Sequence, residues 1–363
     1  PAAPDAAALS EAARILAASE RPAILTSRTG RDLGAGQALV RLAELLGCPV
    51  VDQRDRVSIP PLHPLCVVDP TEGLREADVI LMLDVEVPWI PAFFSPKPGT
   101  TVIQIDIDCV KASMPSWSYP IDLAINADTA IALPLLEAEL RGLADAAHSG
   151  RWRDRRQKVE KGVARAHARW AELAASSDPA NRADAMLAAL SNALPEEAIV
   201  VEEAVTSRGA VLRQVVRGPD RFVACGAPAL GAGLGGALGA KLARPEAPVV
   251  AVVGDGGFNF GVPTAALFSA HKAGAPFMAV ILNNGVYRAS QGPVVRLYPE
   301  GVAATSGKFP ETELTPAPDY VLVARACGGD GEVVSRPQEM AGAVERCLGH
   351  LSAGRCAVID ARL

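Results

Sequence analysis

Val249-Val250-Ala251-Val252-Val253-Gly254-Asp255-Gly256, followed after 26 residues by Asn283-Asn284, is the stretch that decides the fold. An unbroken apolar run (residues 249–253) leads into the first polar tip, and a second (residues 277–282) leads into the Asn pair. Runs of this length without alternation read as strands buried on both faces, as in a parallel sheet covered by helices. Each strand then delivers an oxygen-bearing tip to the carboxyl edge of the sheet, where open α/β sheets bind ligands. A carboxylate, amide oxygens and glycine backbone placed together suit a hard divalent cation holding a diphosphate. Gly254, Gly256 and Gly257 let backbone N–H groups approach phosphate oxygens with no Cβ in the way. The competing readings are a helix cap for Asp255 and loop caps for Asn283 and Asn284.

Outward from this stretch the chain keeps alternating strand and helix. Strands are expected at 22–26, from Val50, at 77–83 ahead of Asp84, at 101–107 and at 123–127, with helices at 9–18, 39–46 (ended by Gly47) and 130–140. Downstream, a helix at 184–194, strands at 198–202 and 221–225, a glycine-rich helix from Gly231 to Gly239 and a final βαβ unit at 320–363 complete a second set. Alternation of this kind gives α/β architecture: two doubly wound parallel-sheet domains. The boundaries expected are 1–145 for the first domain, 146–182 for a connecting helix and 183–363 for the second. Residues 151–169 crowd eight Arg and Lys onto one helix, but Asp154 and Glu160 interrupt the charge, which reads as a solvated face rather than a nucleic-acid arm.

The bulk numbers agree with two packed α/β domains. The chain has 363 residues, 49% of them hydrophobic and only 4% aromatic, with 32 Gly and 29 Pro. A net charge of -6 argues against a nucleic-acid partner, and no apolar run is long enough to span a membrane. The seven cysteines form no C-x-x-C pair, which reads as reduced thiols in a cytoplasmic protein. The chain opens on Pro1, so an N-terminal part removed or carried by another chain is expected.

The GDG triplet followed at this distance by NN resembles the signature of thiamine-diphosphate-dependent enzymes, in their acetolactate synthase and benzoylformate decarboxylase branch. Leu230-Gly231-Ala232-Gly233-Leu234 and Asn284-Gly285-Val286-Tyr287 extend the likeness. In the first domain, Glu20-Arg21-Pro22-Ala23-Ile24-Leu25 and Val87-Pro88-Trp89-Ile90-Pro91 resemble the family's central domain. The resemblance implies that Asp255, Asn284 and the Val286 carbonyl bind Mg²⁺, with Gly254, Gly256 and Gly257 at the diphosphate. Leu230 would press the cofactor into its bent shape, the Pro228 carbonyl would meet the aminopyrimidine, and Glu203, Ala204 and Val205 would flank the diphosphate. Tyr287 and Gln291 would line the substrate pocket beside Leu230.

The same resemblance implies thiamine diphosphate and Mg²⁺ as cofactors and a 2-oxoacid or aldehyde as substrate. The family's activating Glu belongs to a pyrimidine-binding domain with no counterpart here, so a partner chain carrying it is expected, within a homo- or hetero-oligomer. Acetolactate synthase-like carboligation or 2-oxoacid decarboxylation is the implied activity. A degenerate regulatory subunit and a 2-hydroxyacyl-CoA lyase are the alternatives; the short, non-basic tail disfavours the lyase. FAD is not expected, because Thr26-Ser27-Arg28-Thr29-Gly30 replaces the glycine-rich dinucleotide turn. Arg28 and Arg31 could still meet an anion there. His63, His271 and Lys272 read as loop or surface residues.

Overall fold

The computed structural model describes residues 1–114, 116–215, 217–225 and 230–363. Two compact units emerge: Pro1–Arg169 with Gly218–Asp220, and Trp170–Arg217 with Arg221–Leu363. Each contains one six-stranded sheet in which every pairing is parallel. The α/β reading with two doubly wound sheets therefore holds.

The first sheet comprises β1 (Pro22–Thr26), β2 (Val50–Asp52), β3 (Cys66–Val67), β4 (Val79–Leu83), β5 (Thr101–Asp106) and β6 (Leu123–Asn126), in the order β3-β2-β1-β4-β5-β6. The central strands β1 and β4 are buried at all five positions. Their side chains divide between two cores: Ile24, Leu81 and Ile103 enter one, and Leu25, Ile80, Met82 and Val102 enter the other with Trp89. The order in which strands are added reverses between β1 and β4. The helix after β1 (Leu33–Leu46) packs into the first core and the segment after β4, with Val85 and Trp89, into the second, so the two connections leave towards opposite faces and open a crevice at the carboxyl ends of the strands.

Helix boundaries differ from expectation where glycine conceals them. The helix expected from residue 39 begins at Leu33 and runs to Leu46. Asp32 caps it by accepting from Ala35 N at 2.8 Å, and Gly34 and Gly36, poor helix formers, sit in the first turns and mask the start. The basic helix covers Ala146–Ala175, and its first turns are anchored on the first unit by buried Trp152 and Arg155. The Arg155 guanidinium donates to Leu46 O at 2.9 Å and to the Ser19 and Glu20 carbonyls at 3.1 Å. It thereby satisfies carbonyls that the helix ending at Leu46 and the turn after Ala18 leave open.

The second sheet comprises β7 (Ile199–Glu203), β8 (Phe222–Ala224), β9 (Val249–Gly254), β10 (Met278–Asn283), β11 (Asp330–Val334) and β12 (Ala357–Arg362), in the order β11-β12-β10-β9-β7-β8. Val201, Ala251, Val253, Ala279 and Ile281 build its core with Phe258 and Tyr320, whose rings meet edge to face at 5.3 Å. The reversal here falls between β7 and β9. Glu203 pairs with Val253, and Gly254 with Leu282. Three neighbouring strands therefore end flush, bringing Glu203, Asp255 and Asn283-Asn284 to one edge. Among the described residues no helix is long and apolar enough to cross a membrane.

Candidate functional site

Asp255 follows β9 directly and is 4% exposed. Its Oδ1 accepts from Gly256 N at 2.8 Å; its Oδ2 accepts from Gly285 N at 2.7 Å and Asn284 N at 3.2 Å. One carboxylate thus laces the loop after β9 to the loop after β10. Burial pushes its pKa up, while the N–H groups of Gly256, Gly285 and Asn284 oppose that shift. Among the described residues no cationic side chain pairs with it. A buried carboxylate held only by backbone dipoles still favours a nearby positive charge.

The two asparagines divide the work. Asn283 is a brace: its Nδ2 donates to Asp360 Oδ1 at 2.8 Å, and its Oδ1 accepts from Gly285 N at 3.1 Å. Asn284 Oδ1 accepts from Val286 N at 3.0 Å, and Val286 O accepts from Arg288 N at 2.9 Å. An amide or peptide oxygen has two lone pairs. Asn284 Oδ1 and Val286 O each keep one beyond these bonds, and the Asp255 carboxylate keeps capacity as well. These three oxygens form a hard donor set suited to Mg²⁺. Among the described residues no group of three His, Cys, Asp or Glu could hold a metal, and this donor set contains only one such residue.

Two predicted pocket residues close over Gly256. A Cβ built there would lie 2.8 Å from Tyr287 Cε1, so any larger residue would displace that ring, and 3.6 Å from Leu230 Cδ1, in ordinary contact. The Tyr287 ring meets Phe260 edge-on at 6.2 Å. Tyr287 N donates to Thr312 O at 2.7 Å, and Gln291 Nε2 donates to Thr312 Oγ1 at 2.9 Å. Leu230, Tyr287 and Gly256 are therefore brought together, while Gln291 faces the segment around Thr312.

At β7, Glu203 is its last residue and is 7% exposed. Its Oε1 accepts from Gly231 N and its Oε2 from Gly233 N, so both oxygens are engaged by backbone. Ala204 is buried and its N–H donates to Glu202 Oε1 at 2.7 Å, whereas Val205 is exposed. Pro228 lies outside the described residues. His271 and Lys272 are exposed at the end of the helix Pro263–Lys272, and His63 Nε2 stands 3.6 Å from Glu44 Oε1 in the first unit.

Sequence reasoning missed three supports of this edge: Gly285, whose N–H reaches Asp255; Asp360, which orients Asn283; and Thr312. Asp360 carried a readable signal, an acid inside the apolar run of a neighbouring strand. Thr312 carried none, because its contact comes from the bridge between Val286 and Glu313, far apart along the chain.

Glycine backbone and hard oxygen donors together at the carboxyl edge of a doubly wound sheet are an arrangement that could hold a phosphate group and a hard cation. The comparisons with known proteins narrow this reading. The model for the C-terminal TPP binding domain of thiamine pyrophosphate enzymes matches residues 205–361, and that for their central domain matches residues 9–136. The chain belongs to the thiamine pyrophosphate enzyme family. It is 32% identical over 348 residues to an acetolactate synthase large subunit of Mycobacterium tuberculosis, covering 94% of this chain and 59% of that protein. It is 26% identical over 359 residues to benzoylformate decarboxylase of Pseudomonas aeruginosa, covering 95% of this chain and 62% of the relative. A thiamine diphosphate-dependent 4-hydroxybenzoylformate decarboxylase of Rhodococcus jostii shares the fold, with a TM-score of 0.75 at 23% identity over 99% of this chain and 64% of that one. The chain thus spans roughly three fifths of the length of these relatives.

Proposed function

We propose that the second unit binds the diphosphate of thiamine diphosphate through Mg²⁺, as part of an enzyme that makes or breaks a C–C bond beside a carbonyl. Acetolactate synthase-like carboligation or 2-oxoacid decarboxylation is the reading we favour. The observation that carries it is the Asp255 carboxylate, buried with no cationic partner among the described residues and bonded to both loops that the metal would join. In this reading Asp255, Asn284 and the Val286 carbonyl hold the metal. Backbone N–H groups around Gly254, Gly256 and Gly257 face the phosphates. Leu230 and Tyr287 line the organic part of the cofactor and exclude water from it, and Gln291 lies further out towards substrate.

When bound, thiamine diphosphate supplies a nucleophilic carbon for a carbonyl and an electron sink for the adjacent bond. The carboxylate that moves the first proton is placed on a pyrimidine-binding domain outside these residues, on another chain or another part of the protein. Substrate and oligomeric state follow from that assembly, with a 2-oxoacid or aldehyde as the substrate class.

Calorimetry with thiamine diphosphate, with and without Mg²⁺, tests the reading. Binding that needs the metal is expected, and turnover of a 2-oxoacid should follow when a pyrimidine-binding domain with its Glu is added. Absence of binding in the presence of Mg²⁺ would contradict the proposal. Heat of binding without turnover in the full assembly would favour a regulatory subunit.

A further inference from the structure

We propose that Glu203 is a positioning residue that holds the turn after Leu230 in register with the loop of Gly256 and Gly257. This rests on the cofactor reading above and places Glu203 behind the site, rather than on the diphosphate.

The contacts of Glu203 carry the inference. Its two carboxylate oxygens are divided between Gly231 N and Gly233 N, on either side of Ala232 and directly after Leu230. Gly231 adopts φ +106°, and a Cβ there would lie 2.7 Å from Phe260 O, so this turn is pressed against the end of the helix Asp255–Phe260. A Cβ on Gly233 would lie 2.8 Å from Glu203 Oε2, and one on Gly257 would lie 3.3 Å from Glu203 Oε1. One buried carboxylate therefore stands between the turn that presents Leu230 and the loop that would face the phosphates.

A carboxylate suits this task and an amide does not. Two N–H groups pointing at one side chain need two acceptor oxygens; Gln offers one and turns an NH₂ towards the other donor. The same charge argues against Glu203 touching a diphosphate directly, since like charges repel strongly in a partly dry site. Burial pushes the Glu203 pKa up, and the N–H groups of Gly231 and Gly233 pull it back.

Calorimetry on the full chain with two Mg²⁺-bound ligands, thiamine diphosphate and inorganic diphosphate, separates the roles. Glu203→Gln is expected to weaken thiamine diphosphate about tenfold or more and to leave inorganic diphosphate within about twofold. In a Leu230→Ala background the same change should have no further effect on thiamine diphosphate, because both act through one contact. Gly231→Ala, which displaces the turn directly, should reproduce the selective loss and carries the test if Glu203→Gln does not fold. Equal loss for both ligands, or full additivity with Leu230→Ala, would overturn the proposal. If the wild-type chain binds neither ligand, the cofactor reading itself falls and takes this inference with it.

Discussion

At the carboxyl edge of the first sheet, Asp84 is held by side-chain hydroxyls and an arginine; at that of the second, Asp255 is held by backbone N–H groups and keeps acceptor capacity. Both edges sit at a topological switch point and both carry buried acids. In the first, Asp84 Oδ2 accepts from Thr29 Oγ1 at 3.0 Å and Thr129 Oγ1 at 2.7 Å, and Thr26 Oγ1 lies 2.9 Å from Thr29 Oγ1 and 3.2 Å from Ser58 Oγ. Arg31 pairs with Asp84 at 3.4 Å, and Arg28 pairs with Glu86. The two arginines that could have met an anion are thus engaged with internal carboxylates. In the second, Asp255 is bonded to the backbone of two loops and has no such cation among the described residues. The difference teaches that a switch point offers a crevice, and that the donors already consumed inside it decide whether a ligand is still needed.

The comparison can be broken most directly at Asp255. Asp255→Ala should weaken Mg²⁺–thiamine diphosphate by about hundredfold or more in calorimetry, since it removes the only charged donor of the set. Retained affinity would show that the second edge does not depend on its carboxylate.

The next largest effect is expected in the first unit and is one of stability. Burial pushes the Asp52 carboxyl from 3.8 up to about 6, opposed by the Arg54 charge and by the N–H groups of Ser58, Arg54 and Ile59. A raised folded-state pKa favours the protonated form on folding. Its contribution is complete below the unfolded value near 4 and is lost as pH rises through about 6. At ~1.4 kcal/mol for each pKa unit, that is a loss on the order of 3 kcal/mol. Urea unfolding at pH 4.5 and 7 should reveal the fall in wild type and a flatter profile in Asp52→Asn; parallel profiles would remove Asp52 as its source.

Asp84→Ala should then lower stability by about 2 kcal/mol, because two buried hydroxyls lose their shared acceptor. It should leave thiamine diphosphate affinity unchanged, and a change in that affinity would couple the two edges. The smallest expected effect is that of Asp360→Ala, which frees Asn283 and should weaken Mg²⁺-dependent binding about tenfold, as loss of an outer-shell support does. Titration at several Mg²⁺ concentrations would measure it.

What the sequence made legible follows from this contrast. The second edge was readable because β9 and β10 are unbroken apolar runs that end in GDG and NN. Each motif directly follows a readable strand, and Asp255, Asn284 and Val286 do lie together. The first edge was not readable: Thr29, Ser58, Asp84 and Thr129 are scattered over a hundred residues, and ordinary hydroxyls carry no spacing signal. Buried Arg155 was equally hidden, because its charge pattern matches that of its solvated neighbours and only the open carbonyls at Leu46, Ser19 and Glu20 explain its burial. The helix Arg288–Leu297 has no buried residue and contains Gly292 and Pro293, so no clean helical run announced it.

Hydrogen exchange with and without Mg²⁺–thiamine diphosphate tests the central claim most directly. The account predicts new protection at amides 254–257 and 284–287, where Asp255, Asn284 and Val286 meet, and none at 27–31 or 84–86. Protection at the first sheet's edge, or none at the second's, would contradict it.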